Sequence, residues 1–199
     1  MELIIIAGMP ATGKSTLAKS LSAELSLPIL EKDEIKEAMF DTLGYADLPA
    51  KRQLDVVANA VLLRMSEALL RAGKSLIVVN NFYSSMSGEV QALIDRYGCR
   101  CVTVFLEGDP NVLYERYVAR DKAHMRHLGH TFIDRYPPLP GDVVGQSMTR
   151  EYFDDRFLGS GMAEFRLNGA RINVDATYPE RIDKQTLLLQ IKQALEAKE

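Results

Sequence analysis

The sequence predicts an α/β protein built on a parallel, doubly wound sheet flanked by helices. Five apolar runs of strand length alternate with stretches of helical period along 199 residues. The first run feeds directly into a glycine-rich loop and then a helix. The 47% apolar and 26% charged composition is that of an ordinary globular chain, and no apolar run approaches the ~20 residues of a membrane span.

The first strand is Leu3-Ile4-Ile5-Ile6-Ala7, and Gly8-Met9-Pro10-Ala11-Thr12-Gly13-Lys14-Ser15-Thr16 behind it fits G-x-x-x-x-G-K-[ST]. Helix-like Leu17-Ala18-Lys19-Ser20-Leu21 follows, which completes the strand, loop and helix that this motif needs to bind nucleotide phosphates. Gly8 and Gly13 permit dihedrals closed to other residues, so consecutive N–H groups turn inward toward phosphate oxygens at the positive end of a helix. Lys14 offers a point charge to the β- and γ-phosphates, and the Ser15 hydroxyl is a hard oxygen ligand suited to Mg²⁺. Gly8, Ala11, Thr12, Gly13, Lys14, Ser15 and Thr16 are therefore the expected nucleotide contacts.

The helix after the loop is expected to run to about Leu25, with Pro28-Ile29-Leu30 as a short second strand. The segment from Glu31 to Phe40 places acids where a helix dipole favours them. Asp33 there is either a helix cap or a carboxylate at the strand edge where ligands bind in open α/β sheets. Apolar residues at helical spacing from Ala50 to about Ala72 mark a long amphipathic helix, ended by Gly73. Ser75 to Val79 is a buried strand, with Asn80, Asn81, Phe82 and Tyr83 at its tip. Many nucleotide hydrolases carry an Asp at such a tip, and its absence disfavours a stand-alone ATPase.

A helix from Ser87 to Tyr97 leads into the strand Arg100 to Leu106; Asp109 is the expected cap of the next helix, with Pro110 at its first position. Arg116 and Arg120 lie four apart on that helix and share a face, and Arg126 follows. His124, His127 and His130 are expected to be solvated or to face phosphate, since a structural zinc site would want ligands from a second segment. Residues from Thr131 to about Phe165 form the least regular stretch, which marks a lid or binding loop. Arg171 to Asp175 is the last strand, and a closing helix turns Ile182, Leu187, Leu188, Ile191 and Leu195 inward.

The formal net charge of −3 argues against a nucleic-acid partner. Glu2 stands where a signal peptide carries basic residues, so a cytoplasmic location is expected and no membrane association. Cys99 and Cys101, the only cysteines, suit two reduced, buried thiols on one face of a strand. The whole of 1–199 is expected to be one domain, with a lid and acceptor-side insertion over about 116–165.

Gly8 to Thr16, Lys32-Asp33-Glu34-Ile35-Lys36-Glu37 followed by Phe40-Asp41-Thr42-Leu43-Gly44, Asn81-Phe82, and Arg126-His127-x-Gly129-His130 together resemble the P-loop small-molecule kinases. The likeness is to polynucleotide kinase domains and to the chloramphenicol-phosphotransferase-like and zeta-toxin-like enzymes. It implies a five-stranded P-loop NTPase fold with an arginine-rich lid and a phosphotransferase that uses ATP and Mg²⁺ to phosphorylate a hydroxyl of a small molecule. Asp33 then matches the residue that takes the acceptor's proton, and Lys36, Asn81 and Arg126 belong to the acceptor side. Lys36 stands where polynucleotide kinases have an arginine. Arg116 and Arg120 match lid arginines that neutralise the migrating phosphoryl group, Arg116 also on the nucleotide side, and Val174-Asp175-Ala176-Thr177 lies beside the adenine. The alternatives are a 5′-hydroxyl polynucleotide kinase and a non-catalytic, ATP-gated regulatory protein. A partly apolar acceptor pocket is expected from Phe82, Tyr83, Phe132, Tyr136, Tyr152 and Phe153.

Overall fold

The architecture, seen in a computed structural model that describes residues 1–197, is a five-stranded sheet with every strand parallel. The strands are β1 (Glu2–Gly8), β2 (Ile29–Glu31), β3 (Leu76–Val79), β4 (Arg100–Glu107) and β5 (Ala170–Asp175), in the order β2-β3-β1-β4-β5. Helices α1 (Lys14–Leu25), α2 (Lys32–Leu43), α3 (Leu48–Arg71), α4 (Ser87–Tyr97), α5 (Pro110–Lys122), α6 (Arg150–Phe157) and α7 (Lys184–Glu196) cover it.

The alternation of side chains along β1 divides the core. Leu3, Ile5 and Ala7 face a layer containing Leu62 and Leu70 of α3 and Val90 and Ile94 of α4. Ile4 and Ile6 face the opposite layer, with Leu17 and Leu21 of α1 and Leu187 and Ile191 of α7. Both faces of the sheet are thus buried, which is why the strands read as continuous apolar runs. Cys99 and Cys101 are free thiols in the first of these layers.

The helix starts follow the cap chemistry. Asp109 accepts from the Asn111 and Val112 amides ahead of α5, and Asp47 accepts from Ala50 at 2.7 Å, so α3 begins at Leu48, two residues before its periodicity shows. Asp33, by contrast, is no cap: α2 starts at Lys32 directly behind Glu31, and Asp33 stands inside its first turn. The stretch 131–165 is less irregular than its prolines imply. Thr149 caps α6, whose Phe153 and Phe157 lie four apart and bury against Leu113 and Tyr117 of α5. Among the described residues no helix is long and apolar enough to cross a membrane.

Candidate active site

The C-terminal ends of β1, β2 and β3 open into a cavity of about 460 Å³ walled by the glycine-rich loop, the starts of α2 and α3, the end of α5, and residues 126–157. This is where a parallel sheet offers free helix N-termini to a ligand.

The loop is shaped by the backbone. Gly8 at φ +124° lies so close to the Leu106 carbonyl oxygen that a Cβ would stand 2.0 Å from it, and Gly13 at φ +84° opens α1. Ala11 also adopts a positive φ, of 61°, at a cost of roughly 1 kcal/mol for a residue with a side chain. Thr12 is fully buried and its hydroxyl donates to the Met9 carbonyl at 2.7 Å, which makes it a staple within the loop. The Lys14 ammonium donates to the Gly8 and Met9 carbonyls at 3.0 and 2.7 Å, and burial lowers its pKa to about 8. Ser15 and Thr16 line the cavity beyond it.

At the end of β2, Ser15 donates its hydroxyl proton to Glu31 Oε1, and burial raises the Glu31 carboxyl above its usual range despite that bond. Two residues on, the Asp33 carboxylate faces the open cavity. Burial pushes its pKa up, but His130, Lys32, Lys36 and Lys14 together hold it below the ordinary value, so Asp33 is ionised. Behind it, Asp55 of α3 is gripped by Lys32 at 2.8 Å and Lys36 at 2.6 Å, and those two cations outweigh burial and keep its carboxyl low. Lys36 is buried, with its ammonium 5.2 Å from the centre of the Phe40 ring.

The three arginines singled out by sequence part company. Arg120 lines the cavity, and its buried Nε atom has no hydrogen-bond partner among the described residues. Arg116 reaches the far side of the loop, where it donates to the carbonyls of Ala11 at 2.8 Å, of Ala176 at 3.3 Å and of Thr177. It thereby ties the Ala176–Thr177 segment to the loop. Arg126 lines the cavity but pairs with buried Asp121 at 2.6 Å, donates to the Tyr117 hydroxyl and the His130 carbonyl, and lies over the Tyr117 ring. Asn81 lines the cavity; its backbone N–H donates to Asn80 Oδ1 at 2.8 Å, and Asn80 Nδ2 in turn donates to Asn59.

The histidines clasp residues 127–136 to α2. The Gly129 amide donates to His127 Nδ1, which leaves the proton on Nε2 to bridge to Asp41 at 2.9 Å. His130 Nε2 donates to Glu37 at 3.1 Å, and burial lowers the His130 pKa. Gly129 is pressed on the Phe40 ring, and a backbone bridge joins Tyr45 to Tyr136. Among the described residues no three His, Cys, Asp or Glu side chains form a metal cluster.

The cavity wall is partly apolar, though not through all the aromatics expected. Phe82 and Phe153 are buried in the core, and Tyr136 stacks in the histidine clasp; of the six aromatics only Tyr83, Phe132 and Tyr152 line the cavity. Leu48, Tyr117, Met148 and Phe157 add apolar surface, and much of the remaining wall is charged. Glu31, Lys51, Arg52, Asp55 and Arg156 all reach it and none was singled out from sequence. Glu31 was legible in principle, as the acid that ends the second strand beside the loop; Lys51, Arg52 and Asp55 lie on a helix whose pattern speaks only of packing, and Arg156 in a stretch that reads as irregular.

The AAA domain family model matches residues 3–132. A candidate kinase from Chloroflexus aurantiacus J-10-fl is 30% identical, covers 98% of both chains and superposes with a TM-score of 0.81. The tunicamycin resistance protein of Deinococcus radiodurans is 18% identical with a TM-score of 0.56, covering 99% of this chain and 96% of that one. Shikimate kinase from Bacteroides thetaiotaomicron is 16% identical with a TM-score of 0.52, covering 98% and 99%. Likeness at these last two identities speaks for the fold. Comparison with curated proteins found no match.

Proposed function

Since the chain belongs to the AAA-domain family and has the fold of the P-loop small-molecule kinases, we propose that it transfers the γ-phosphoryl group of ATP to a hydroxyl of a small molecule, as one domain with a lid and acceptor-side insertion over about 116–165. The observation that carries this reading is the meeting of an ionised, cavity-facing Asp33 with Lys14 and the unengaged Arg120 in one cavity at the phosphate loop. A stand-alone hydrolase needs only room for water beside its phosphates, whereas the same cavity runs on past Asp33 to residues of α3 and α6, as a transferase with a second substrate requires.

In this mechanism the loop amides and Lys14 hold the β- and γ-phosphates, and Arg120 meets charge that spreads over the migrating group. Asp33 accepts a hydrogen bond from the acceptor hydroxyl. As the bond from that oxygen to phosphorus forms and the bond to the ADP oxygen breaks, its proton passes to the Asp33 carboxylate. A carboxyl held below its ordinary pKa is a weak base, so Asp33 chiefly orients the hydroxyl and takes the proton late, as a loose transition state allows. Asn81, with its backbone fixed by Asn80, borders the acceptor from just beyond the tip of β3. Arg116 acts on the nucleotide side by holding Ala176–Thr177 near the base.

The Ser15 hydroxyl and Glu31 carboxylate form a pair of hard oxygens at the loop that fits Mg²⁺, an ion that keeps most of its waters and takes one or two protein oxygens beside phosphate. Bound there, the ion would neutralise phosphate charge. Glu31 thus fills the part that an aspartate at the β3 tip plays elsewhere.

The test is incubation with ATP, Mg²⁺ and a metabolite extract, read by mass spectrometry for products heavier by one phosphoryl group. Products formed by the wild type and missing with Lys14→Ala are expected. ATP turnover with no phosphorylated product from any acceptor would overturn the reading.

A further inference from the structure

The cavity is far more basic than the chain. A protein of formal charge −3 lines this one space with eight lysine and arginine side chains against three carboxylates among the described residues. Triphosphate binding accounts for Lys14 and Arg120, Lys32 and Lys36 are matched by Asp55, and Arg126 is paired with buried Asp121. Three remain: Lys51 and Arg52 on the first turns of α3, and Arg156 on α6.

All three line the cavity wall; Arg52 and Arg156 bracket the Tyr152 hydroxyl and hold its pKa below the usual value although burial opposes this, and Lys51 stands near enough to Arg156 to feel its charge. The carboxylate that reaches the group among the described residues is Asp55, 3.9 Å from Arg156 and already committed to two lysines. Lys51 spends one donor on the Thr131 carbonyl at 2.7 Å. Crowding three cations at one wall of a cavity is unfavourable by itself, and a solvated surface would keep them apart.

Resting on the kinase reading above, we infer that the acceptor is a small anion, a hydroxyl-bearing carboxylate or phosphate ester, whose charged group is bound by Lys51, Arg52 and Arg156 while its hydroxyl is presented to Asp33. Two guanidinium forks match the paired oxygens of either anion, and the Tyr152 hydroxyl adds a further donor. Size follows from the same geometry, because about 460 Å³ has to hold the reacting phosphates as well. The acceptor is therefore of metabolite dimensions.

The experiment separates anion binding from transfer. Inorganic phosphate and, in a parallel arm, malonate are titrated calorimetrically into full-length protein saturated with a non-hydrolysable ATP analogue and Mg²⁺, so that the loop is filled. One site is expected, weakened at least about tenfold by Arg52→Gln and by Arg156→Gln, the loss of one charge-assisted contact each. Preference for phosphate over malonate would identify the ester, and the reverse the carboxylate. Absence of binding to nucleotide-filled protein, or binding untouched by both substitutions while circular dichroism shows them folded, overturns the inference. Anion binding without transfer to any acceptor would sink the kinase reading and leave the anion site standing. Transfer to neutral polyols with KM unchanged in Arg52→Gln and Arg156→Gln would do the opposite. Phosphorylation of a 5′-hydroxyl oligonucleotide, with binding that weakens steeply in salt, would replace the small anion by nucleic acid.

Discussion

The two ends of the cavity are built by different means. On the nucleotide side, Gly8, Ala11 and Gly13 bend one continuous loop, and most groups facing the phosphates belong to the backbone of nine consecutive residues. On the acceptor side, Lys36, Lys51, Asp55, Arg126, Tyr152 and Arg156 arrive from four separate segments, and each contributes only a side chain. A backbone site is costly to alter, because Gly8 has no room for a Cβ. A side-chain site changes its ligand with one codon. The contrast teaches that the nucleotide end fixes the reaction while the acceptor end fixes what enters it.

Substitutions at the two ends should separate accordingly. Lys14→Ala removes the loop's one cation and should cut transfer on the order of 10³-fold with the far-ultraviolet circular dichroism unchanged. Asp33→Asn keeps shape and loses the proton acceptor, so kcat should fall by about 10² to 10⁴ while KM for ATP holds; a loss under about tenfold would leave Asp33 a mere neighbour. Glu31→Gln should raise the Mg²⁺ needed for half-maximal rate by about 10- to 100-fold without changing acceptor KM.

Gly129→Ala tests the clasp, since its Cβ would come 2.3 Å from the Phe40 ring. Such overpacking should cost about 1–3 kcal/mol in chemical denaturation, and acceptor KM should rise more than KM for ATP. The smallest effect concerns pH. Burial, together with Lys36, Arg126 and Arg156 and against Asp55, lowers the Lys51 pKa to about 7. Lys51 is thus charged below that pH and neutral above it. Affinity for an anion should weaken as pH rises through about 7, with proton uptake on binding at the higher end, and Lys51→Arg should flatten the profile.

The same division explains what could be read from the sequence. The strands, their alternation with helices and the loop at Gly8–Thr16 are local patterns, and local patterns survive in one dimension. Asp33 was legible as a carboxylate at a sheet edge, though its place within the first turn needed the helix to start at Lys32. Arg116 and Arg120 share a face by spacing, yet one meets three carbonyls and the other the cavity, because one helical turn separates the loop beneath the first from the open space beside the second. Lys51, Arg52 and Arg156 gave no signal at all. A cation on an amphipathic helix looks the same whether it meets water or another cation 105 residues away in sequence, as Arg156 is from Lys51.

β2 ends at Glu31 and α2 begins at Lys32 with no intervening loop. Glu31 beside the loop and Asp33 before the cavity are therefore geared together by a joint without slack. A single residue inserted there would turn Asp33 by about 100° around the helix axis and carry it off the cavity wall. Natural length variation in this lineage is thus expected to avoid the joint and collect in the stretch 137–147, where the chain can lengthen without turning any gear.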